Sequence, residues 1–126
     1  MSESAKILLV DDQPANLDVL RHVLEREGYQ VLLAPNGEVA LRNAARALPD
    51  LILLDVTMPE MDGHEVCRRL KADAVTADIP VIFCTARDLH EDIVLGFELG
   101  AVDYVIKPFQ EAEVLKRVER HGRRHQ

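Results

Sequence analysis

The sequence predicts an α/β fold built on a parallel sheet, and three observations support this. Five short apolar runs alternate with segments that carry apolar residues at helical spacing. Gly and Pro stand at the junctions between the two kinds of segment, as is typical of turns. Regular alternation of strands and helices favours a parallel sheet with helices on both faces. The length of 126 residues is the usual size of one domain.

The apolar runs and their flanking signals give the expected elements. Strands are predicted at Lys6–Val10, Gln30–Ala34, Leu51–Asp55, Pro80–Cys84 and Val102–Ile106. Helices are predicted from Pro14 to about Gly28, after the 35–37 turn through Val39, Ala40, Leu41 and Ala44, from about His64 to Ala72, from about Leu89 to Leu99, and from Glu111 to about His121. Pro14 is typical of a helix start, and Gly28 and Gly100 are typical of helix ends.

The order of the strands follows from the connections. Right-handed crossovers leave few topologies, and we favour the flavodoxin-like, doubly wound (βα)5 arrangement with strand order 2-1-3-4-5. The first and third strands are then neighbours at the switch point of the sheet. The ends of the first, third, fourth and fifth strands would therefore surround one pocket. The single domain is predicted to span residues 1–126, with a core from about 5 to 120 and a tail or the start of a linker at 121–126.

Charge and cysteine content limit the function. A formal net charge of −7 argues against direct nucleic-acid binding, which needs clustered Lys and Arg, and suits a protein that binds cations or basic partners. No apolar run approaches the length of a membrane span, and the N-terminus has no signal-peptide pattern, so we expect a cytoplasmic protein without membrane contact. Cys67 and Cys84 form no CxxC pair and are predicted to be buried thiols in a reducing compartment.

The strand ends that meet at the pocket carry chemically matched side chains. The first strand ends in Asp11 and Asp12, and the third ends in Asp55. Three carboxylates this close would repel one another or bind a cation, and Mg²⁺ fits a site that must also accept a phosphoryl oxygen. The fourth strand ends in Thr85, a hydroxyl donor, and the fifth in Lys107, an ammonium that can reach an anion. Phosphoryl transfer needs such parts, and an Asp can itself be the nucleophile.

Each of these residues also has an ordinary structural interpretation. Asp11, Asp12 or Thr85 could cap the helix that follows its strand, Asp55 could cap the turn after its strand, and Lys107 could be a solvated charge. Four independent coincidences at adjacent strand ends are a poor explanation, so we favour the functional interpretation.

Four stretches together resemble the receiver domain of two-component response regulators, and the resemblance covers about residues 5 to 120. The stretches are Ile7-Leu-Leu-Val-Asp-Asp12, Leu53-Leu-Asp-Val-Thr-Met-Pro-Glu-Met-Asp-Gly63, Thr85-Ala86 and Gly100-Ala-Val-Asp-Tyr-Val-Ile-Lys-Pro-Phe109. The resemblance implies a phosphorylation-dependent signalling switch in a bacterial two-component system. It implies no enzyme activity beyond catalysis of its own phosphorylation and dephosphorylation.

The resemblance also implies a role for each site residue. Asp55 would accept a phosphoryl group from a sensor histidine kinase or a phosphotransfer protein. Asp11, Asp12 and Asp55, with the backbone carbonyl of Thr57, would hold Mg²⁺ or Mn²⁺. Lys107 and Thr85 would contact the phosphoryl oxygens.

Further expectations from the resemblance concern the switch and its output. Tyr104 would be the switch aromatic that moves inward with Thr85, the Lys107–Pro108 bond would be cis, and Thr57 and Arg87 would tune the phosphoryl lifetime. The output face would be the fourth helix, fifth strand and fifth helix, used for a downstream effector or a homodimer. The chain would be either a stand-alone receiver or a piece of a multidomain regulator or hybrid kinase.

Two other classes of protein share parts of this pattern. A haloacid-dehalogenase-type phosphatase also uses an Asp nucleophile, Mg²⁺, a hydroxyl and a Lys, but it normally has a cap insertion and a late acidic pair, and here the first acidic residues after Lys107 are Glu111 and Glu113. A flavodoxin-like cofactor binder would offer hydroxyls and Gly amides in its first loop. The loop at 11–14 instead presents two carboxylates, which repel anions without a metal.

Overall fold

Five parallel strands form one sheet in the computed structural model, which describes residues 4–86 and 90–122. The strands are β1 (Lys6–Val10), β2 (Gln30–Ala34), β3 (Leu51–Asp55), β4 (Val81–Ala86) and β5 (Asp103–Lys107). Their spatial order is β2-β1-β3-β4-β5, and every pairing is parallel. The predicted fold class and strand order are therefore confirmed. Leu9 pairs with Leu53, and Asp55 pairs with Cys84, so the central strands end at nearly the same level.

Five helices cover the two faces of the sheet. They are α1 (Pro14–Arg26), α2 (Gly37–Ala47), α3 (Gly63–Ala72), α4 (His90–Glu98) and α5 (Glu111–His121). Apolar residues of α1 and α5 pack on one face, and those of α2 and α3 pack on the other. Leu17, Leu20 and Leu24 form an apolar stripe at helical spacing on α1 and are buried, whereas Val39 and Leu41 of α2 are only half-buried.

The central strand β3 is buried along its whole length, because helices cover both of its faces. Such a strand needs no polar side chain within it, so its sequence is a continuous apolar run up to its last residue. The first carboxylate that this run reaches is Asp55, which is still buried. The side chain of Asp55 thus stands where the dry core meets the edge of the sheet.

β4 and β5 differ by one or two residues from their predicted limits. β5 runs from Asp103 to Lys107 rather than from Val102 to Ile106. β4 begins at Val81 because Pro80 has no N–H to donate; its carbonyl accepts a hydrogen bond from the Ile52 N–H at 3.0 Å. β4 continues through Thr85 and Ala86, and these two residues pair with Ile106 and Lys107 of β5. Thr85 and Lys107 therefore lie within paired strands, which restricts their backbones more than a loop would.

The fourth helix is also slightly shorter than predicted. Its described part begins at His90 and ends at Glu98 rather than Leu99, while Leu89 lies outside the described residues. Gly96 is its buried residue, and it brings the helix against the ring of Phe83 on β4. In the described part of the chain, no helix is both long and apolar enough to cross a bilayer.

Cys67 and Cys84 are free and buried, as predicted. Cys67 lies in the core on the α2–α3 side of the sheet, and Cys84 in the core on the α1–α5 side. Burial raises the pKa of both thiols above the ordinary value. Both therefore remain neutral small apolar side chains rather than nucleophiles.

The start of α3 packs on the backbone of β3 through Gly63. A Cβ atom at this position would lie 2.3 Å from the carbonyl oxygen of Asp55 and 2.9 Å from the Cα of Val56. The Gly63 N–H also donates a hydrogen bond to the carbonyl of Val56 at 2.9 Å. Only glycine allows this approach, so the identity of residue 63 helps to define the backbone position of Asp55.

We expect Gly63→Ala to lower the free energy of unfolding by about 1–3 kcal/mol, because the methyl group meets backbone atoms that cannot rotate away. Urea denaturation followed by circular dichroism would measure this. Gly28→Ala is the control: a Cβ there meets no atom within 4 Å, but the φ of +92° makes alanine unfavourable. Its cost is expected to be about 1 kcal/mol. A Gly63→Ala protein as stable as the parent would contradict the close approach.

Candidate functional site

Three carboxylates converge at the carboxyl ends of β1 and β3. Asp11 directly follows β1 and Asp55 ends β3; each is only 2% exposed, whereas Asp12 is exposed. One carboxylate oxygen from each of the three lies within 4.8 Å of the others. The predicted convergence of these side chains is thus what the structure shows, and it concentrates negative charge at the rim of the core.

Lys107, at the end of β5, points into this cluster. Its Nζ donates a hydrogen bond to Oδ1 of Asp55 at 2.8 Å and lies 3.5 Å from Oδ2 of Asp11. Its side chain is only 25% exposed, so it is not the solvated charge that a lone Lys usually is. One ammonium against three carboxylates leaves the site with excess negative charge.

Burial and mutual contact govern the ionisation of Asp55 and Lys107. Desolvation raises the pKa of Asp55, although the hydrogen bond from Lys107 opposes the shift; the charge of Asp11 adds to the rise. Burial alone would lower the pKa of Lys107, but its hydrogen bond with Asp55 and the charges of Asp55 and Asp11 together raise it. Lys107 is thus held as a cation, while the carboxylate of Asp55 is less stable than it would be in water.

Asp11 is oriented by the start of α1. Its Oδ1 accepts the backbone N–H of Gln13 at 2.9 Å, and its Oδ2 accepts the side-chain amide of Asn16 at 3.1 Å. The N-cap of α1 is Gln13, so neither Asp11 nor Asp12 is the capping residue. The capping alternative considered from the sequence is therefore wrong for both residues, and their carboxylates face the cluster instead.

Thr85 lies in β4 with its side chain buried. Its hydroxyl lies 3.4 Å from the carbonyl oxygen of Ala86 and donates to it. The described part of α4 begins five residues later, at His90. Beside Thr85 is a recess under α4, whose lining includes Phe83, Ile93, Phe97 and Tyr104.

The remaining predicted site residues have different positions. Tyr104 is half-buried on β5, and Thr57 is exposed in the loop after β3, where its backbone N–H bonds to Asp55 and lowers that pKa. The Lys107–Pro108 peptide bond is cis. Arg87 lies outside the described residues.

Two contacts near the site were not predicted from the sequence. Asn16 holds Asp11, and its position in the first turn of α1, five residues after Asp11, is the only sequence signal for this. His64 of α3 donates from Nε2 to the carbonyl oxygen of Asp92 in α4 at 3.1 Å, and its ring lies edge-on to Phe83 with centroids 5.2 Å apart. A hydrogen bond of this kind between two helices produces no periodic pattern in the sequence, so it could not be predicted.

Comparison with known proteins assigns this chain to a family. Residues 7–119 match the sequence profile described as the response regulator receiver domain. The chain belongs to the response regulator receiver domain family. It is therefore a signalling domain of two-component systems, and the family assignment does not support the phosphatase alternative.

Individual relatives agree with this assignment. The chain is 47% identical over 114 residues to the alkaline phosphatase synthesis transcriptional regulatory protein PhoP of Bacillus subtilis, covering 90% of this chain and 47% of that protein. It is 50% identical over 115 residues to the response regulator PleD of Caulobacter vibrioides, covering 91% of this chain and 25% of that protein. The chain thus spans about half or less of the length of these relatives.

A solved structure shows the same fold with a metal. The receiver domain of the sensor histidine kinase PA1611 from Pseudomonas aeruginosa PAO1, determined with a magnesium ion coordinated in its active-site cleft, has a TM-score of 0.86 and 36% identity. The alignment covers 94% of this chain and 97% of that one. The receiver fold of that protein accommodates Mg²⁺ in its cleft.

The raised pKa of Asp55 makes a prediction about stability. Protonated Asp55 fits the folded protein better than its carboxylate does. Its contribution to the free energy of unfolding is therefore present below the ordinary pKa of 3.8 and is lost as the pH rises through the higher pKa that Asp55 has in the folded protein. At pH 7 in EDTA, Asp55→Asn should therefore raise the free energy of unfolding by about 1 kcal/mol.

Urea denaturation of the parent and Asp55→Asn proteins from pH 3.5 to 7 would test this, and the difference should shrink towards low pH. Asp12→Asn is the matched control, since its exposed carboxylate carries little desolvation cost and its gain should be smaller. A lower stability of Asp55→Asn at pH 7 would mean that the ion pair with Lys107 outweighs desolvation.

Proposed function

We propose that this domain is a phosphorylation-dependent switch in which Asp55 accepts a phosphoryl group from a histidine kinase or a phosphotransfer protein. The observation that supports this most is the Asp55 carboxylate, buried at the end of β3 between two further carboxylates and the ammonium of Lys107. Such a group is protected from bulk water, faces a cation and is supported by a rigid strand. These are the conditions under which a carboxylate acts as a phosphoryl acceptor.

The side chains at this site can serve each protein role in the transfer. An oxygen of Asp55 forms a bond to phosphorus while the bond from phosphorus to the donor histidine nitrogen breaks, which leaves an acyl phosphate and a free imidazole. Lys107 would exchange its hydrogen bond with Asp55 for one with a phosphoryl oxygen and so neutralise charge. Thr85 would turn its hydroxyl from the Ala86 carbonyl to another phosphoryl oxygen.

The charge of the cluster fits a divalent cation. Asp11, Asp12 and Asp55 offer hard oxygen ligands close together, and Lys107 alone leaves their negative charge in excess. We propose that these carboxylates, with the backbone carbonyl of Thr57, hold Mg²⁺ or Mn²⁺. The cation would supply charge neutralisation on the transferring phosphoryl group. We further propose that Thr57, which is exposed, and Arg87 tune how fast the acyl phosphate hydrolyses.

The phosphoryl group would act on the surface through Thr85 and Tyr104. Both line the recess under α4, so a movement of Thr85 towards the phosphate opens space that the Tyr104 ring can enter. To change the ratio of the active to the inactive conformation from 1:99 to 99:1, the phosphoryl group must bind the active one more tightly by about 5.5 kcal/mol. Charge-assisted hydrogen bonds from Lys107 and Thr85, at about 1.5–3 kcal/mol each, are of that order.

The surface that responds would be formed by α4, β5 and α5. Large apolar side chains are exposed there and beside it, namely Val94, Leu95, Phe97 and Val102. An exposed apolar patch of this kind suits a protein interface whose contacts depend on the position of α4. We propose that a downstream effector, an effector domain or a second copy of the chain binds there.

Phosphorylation of Asp55 can be tested directly. The protein is incubated with acetyl phosphate and Mg²⁺ and its intact mass is recorded. We expect the parent to gain the mass of one phosphoryl group and Asp55→Asn to gain none, because the amide is not a nucleophile. Omission of Mg²⁺ in EDTA should also abolish the adduct.

Beryllofluoride, a stable mimic of the phosphoryl group, guards against loss of a short-lived adduct. With Mg²⁺ it should shift the amide signals of Thr85, Tyr104 and Lys107 in the parent. If neither an adduct nor these shifts are observed, the proposed switch is wrong.

If Tyr104 has the proposed role, its mutation should separate the phosphorylation of Asp55 from the change in the α4–β5–α5 surface. Tyr104→Ala should accept the phosphoryl group at the parental rate, because the side chain does not contact Asp55. The same variant should lose most of the beryllofluoride-induced amide shifts in α4 and α5. Tyr104→Phe is the control that keeps the ring. If Tyr104→Ala cannot be phosphorylated, the proposed division of roles fails.

A further inference from the structure

The ring of Tyr104 is held between the two helices of the α4–β5–α5 face. On one side it contacts Phe97 of α4, edge-to-face with ring centroids 6.0 Å apart. On the other side the guanidinium carbon of Arg117 of α5 lies 5.8 Å from the Tyr104 ring centroid. We propose that Arg117 is a positioning residue which, together with Phe97, retains Tyr104 at this face and sets how readily the domain is activated. The inference rests on the proposed role of Tyr104 as the switch aromatic.

Arg117 is itself fixed by a buried carboxylate. Asp103, the residue before Tyr104 on β5, is 6% exposed, and its Oδ1 accepts hydrogen bonds from Arg117 Nη1 at 2.6 Å and from the Tyr104 N–H at 2.9 Å. Its Oδ2 faces His121 Nε2 at 3.0 Å and Arg120 Nη1 at 3.8 Å. A buried charge is retained only when it is paired, so the guanidinium of Arg117 cannot leave Asp103 without cost. The cation beside the ring is therefore preorganised.

Both ring contacts depend on where Tyr104 stands. A guanidinium near an aromatic ring is attracted by the negative face of the ring, and an edge-to-face pair gains from the matching quadrupoles. If the ring moved into the recess beside Thr85, it would leave Arg117, because Arg117 is tied to Asp103. A contact that exists in only one of two positions shifts the equilibrium between them. The loss of the contacts with Arg117 and Phe97 thus costs free energy, which the phosphoryl group must supply when Tyr104 moves.

The simpler explanation is that Arg117 only neutralises Asp103 and so stabilises the fold. Arg120 distinguishes the two explanations. It lies on the same helix, carries the same charge and faces the same carboxylate, but within residues 4–86 and 90–122 the cation–ring contact of Tyr104 is with Arg117. Arg117→Gln and Arg120→Gln therefore make the same change of net charge and both weaken the pairing of Asp103. Only Arg117→Gln removes the cation from the ring.

The chain offers a direct probe, because it contains two tyrosines, Tyr29 and Tyr104. Labelling with 3-fluorotyrosine gives two ¹⁹F signals, of which Tyr29, between α1 and β2, is an internal reference. Beryllofluoride is titrated with Mg²⁺ into the parent, Arg117→Gln and Arg120→Gln proteins. We expect Arg117→Gln alone to shift the free Tyr104 signal towards its beryllofluoride-bound position. Its apparent affinity for beryllofluoride should tighten by about two- to fivefold, the value of one exposed cation–π contact.

Phe97→Leu tests the other side of the ring without touching Asp103. Phe97 is 47% exposed, so the variant should fold normally, and it should also tighten the apparent beryllofluoride affinity. Val19→Ala, at a similarly exposed apolar position of α1, is its control and should change nothing. If Arg117→Gln does not fold, Phe97→Leu decides the question.

The outcomes separate the two proposals. A parent protein whose Tyr104 signal ignores beryllofluoride would overturn the proposed function and this inference with it. A responsive parent whose affinity is unchanged in Arg117→Gln and in Phe97→Leu would overturn the inference alone. Equal tightening in Arg117→Gln and Arg120→Gln would do the same, because it would trace the effect to Asp103 rather than to the ring.

Discussion

The parallel pairing of β1, β3, β4 and β5 is the constraint on which the rest of this structure depends. Parallel strands all end at the same edge of a sheet, so one residue from each strand end can reach a common point. Asp11, Asp55 and Lys107 are far apart in the sequence, yet each needs only its place at or just after the end of a strand to join the cluster. The convergence of these three side chains is therefore a property of the topology.

The same edge divides the molecule into a fixed part and a part that can respond. Around Asp55 the backbone is held by the close approach of Gly63 and by the pairing of β3 on both sides. α4 is held differently: it rests on Phe83 through Gly96 and receives one hydrogen bond from His64. Under the proposed function, charge gathered at the rigid end is transmitted to this helix. The Tyr104 ring lies between α4 and α5, where such a difference would be transmitted.

The sequence was sufficient to predict the fold and the cluster, for a clear physical reason. Buried parallel strands must be apolar along their length, so the first charged residue after the apolar runs of β1, β3 and β5 marks the strand end, and right-handed crossovers leave few topologies. Limits of elements were less accurate, because the end of β4 depends on its partner β5 rather than on local preference. Contacts such as those of Asn16 with Asp11 and of Arg117 with Tyr104 could not be predicted. They depend on the direction that one polar side chain takes from a helix surface, which periodicity does not encode.

The burial of both cysteines has a practical consequence for following this domain in motion. Cys67 and Cys84 lie in opposite layers of the core, and burial keeps both thiols protonated and out of reach of reagents. Two cysteines, introduced at exposed positions of α4 and of α5, would accordingly react with maleimide dyes or nitroxides while the native thiols stay unmodified. Distances across the α4–β5–α5 face can therefore be recorded by spectroscopy in the otherwise natural chain, with its packing intact.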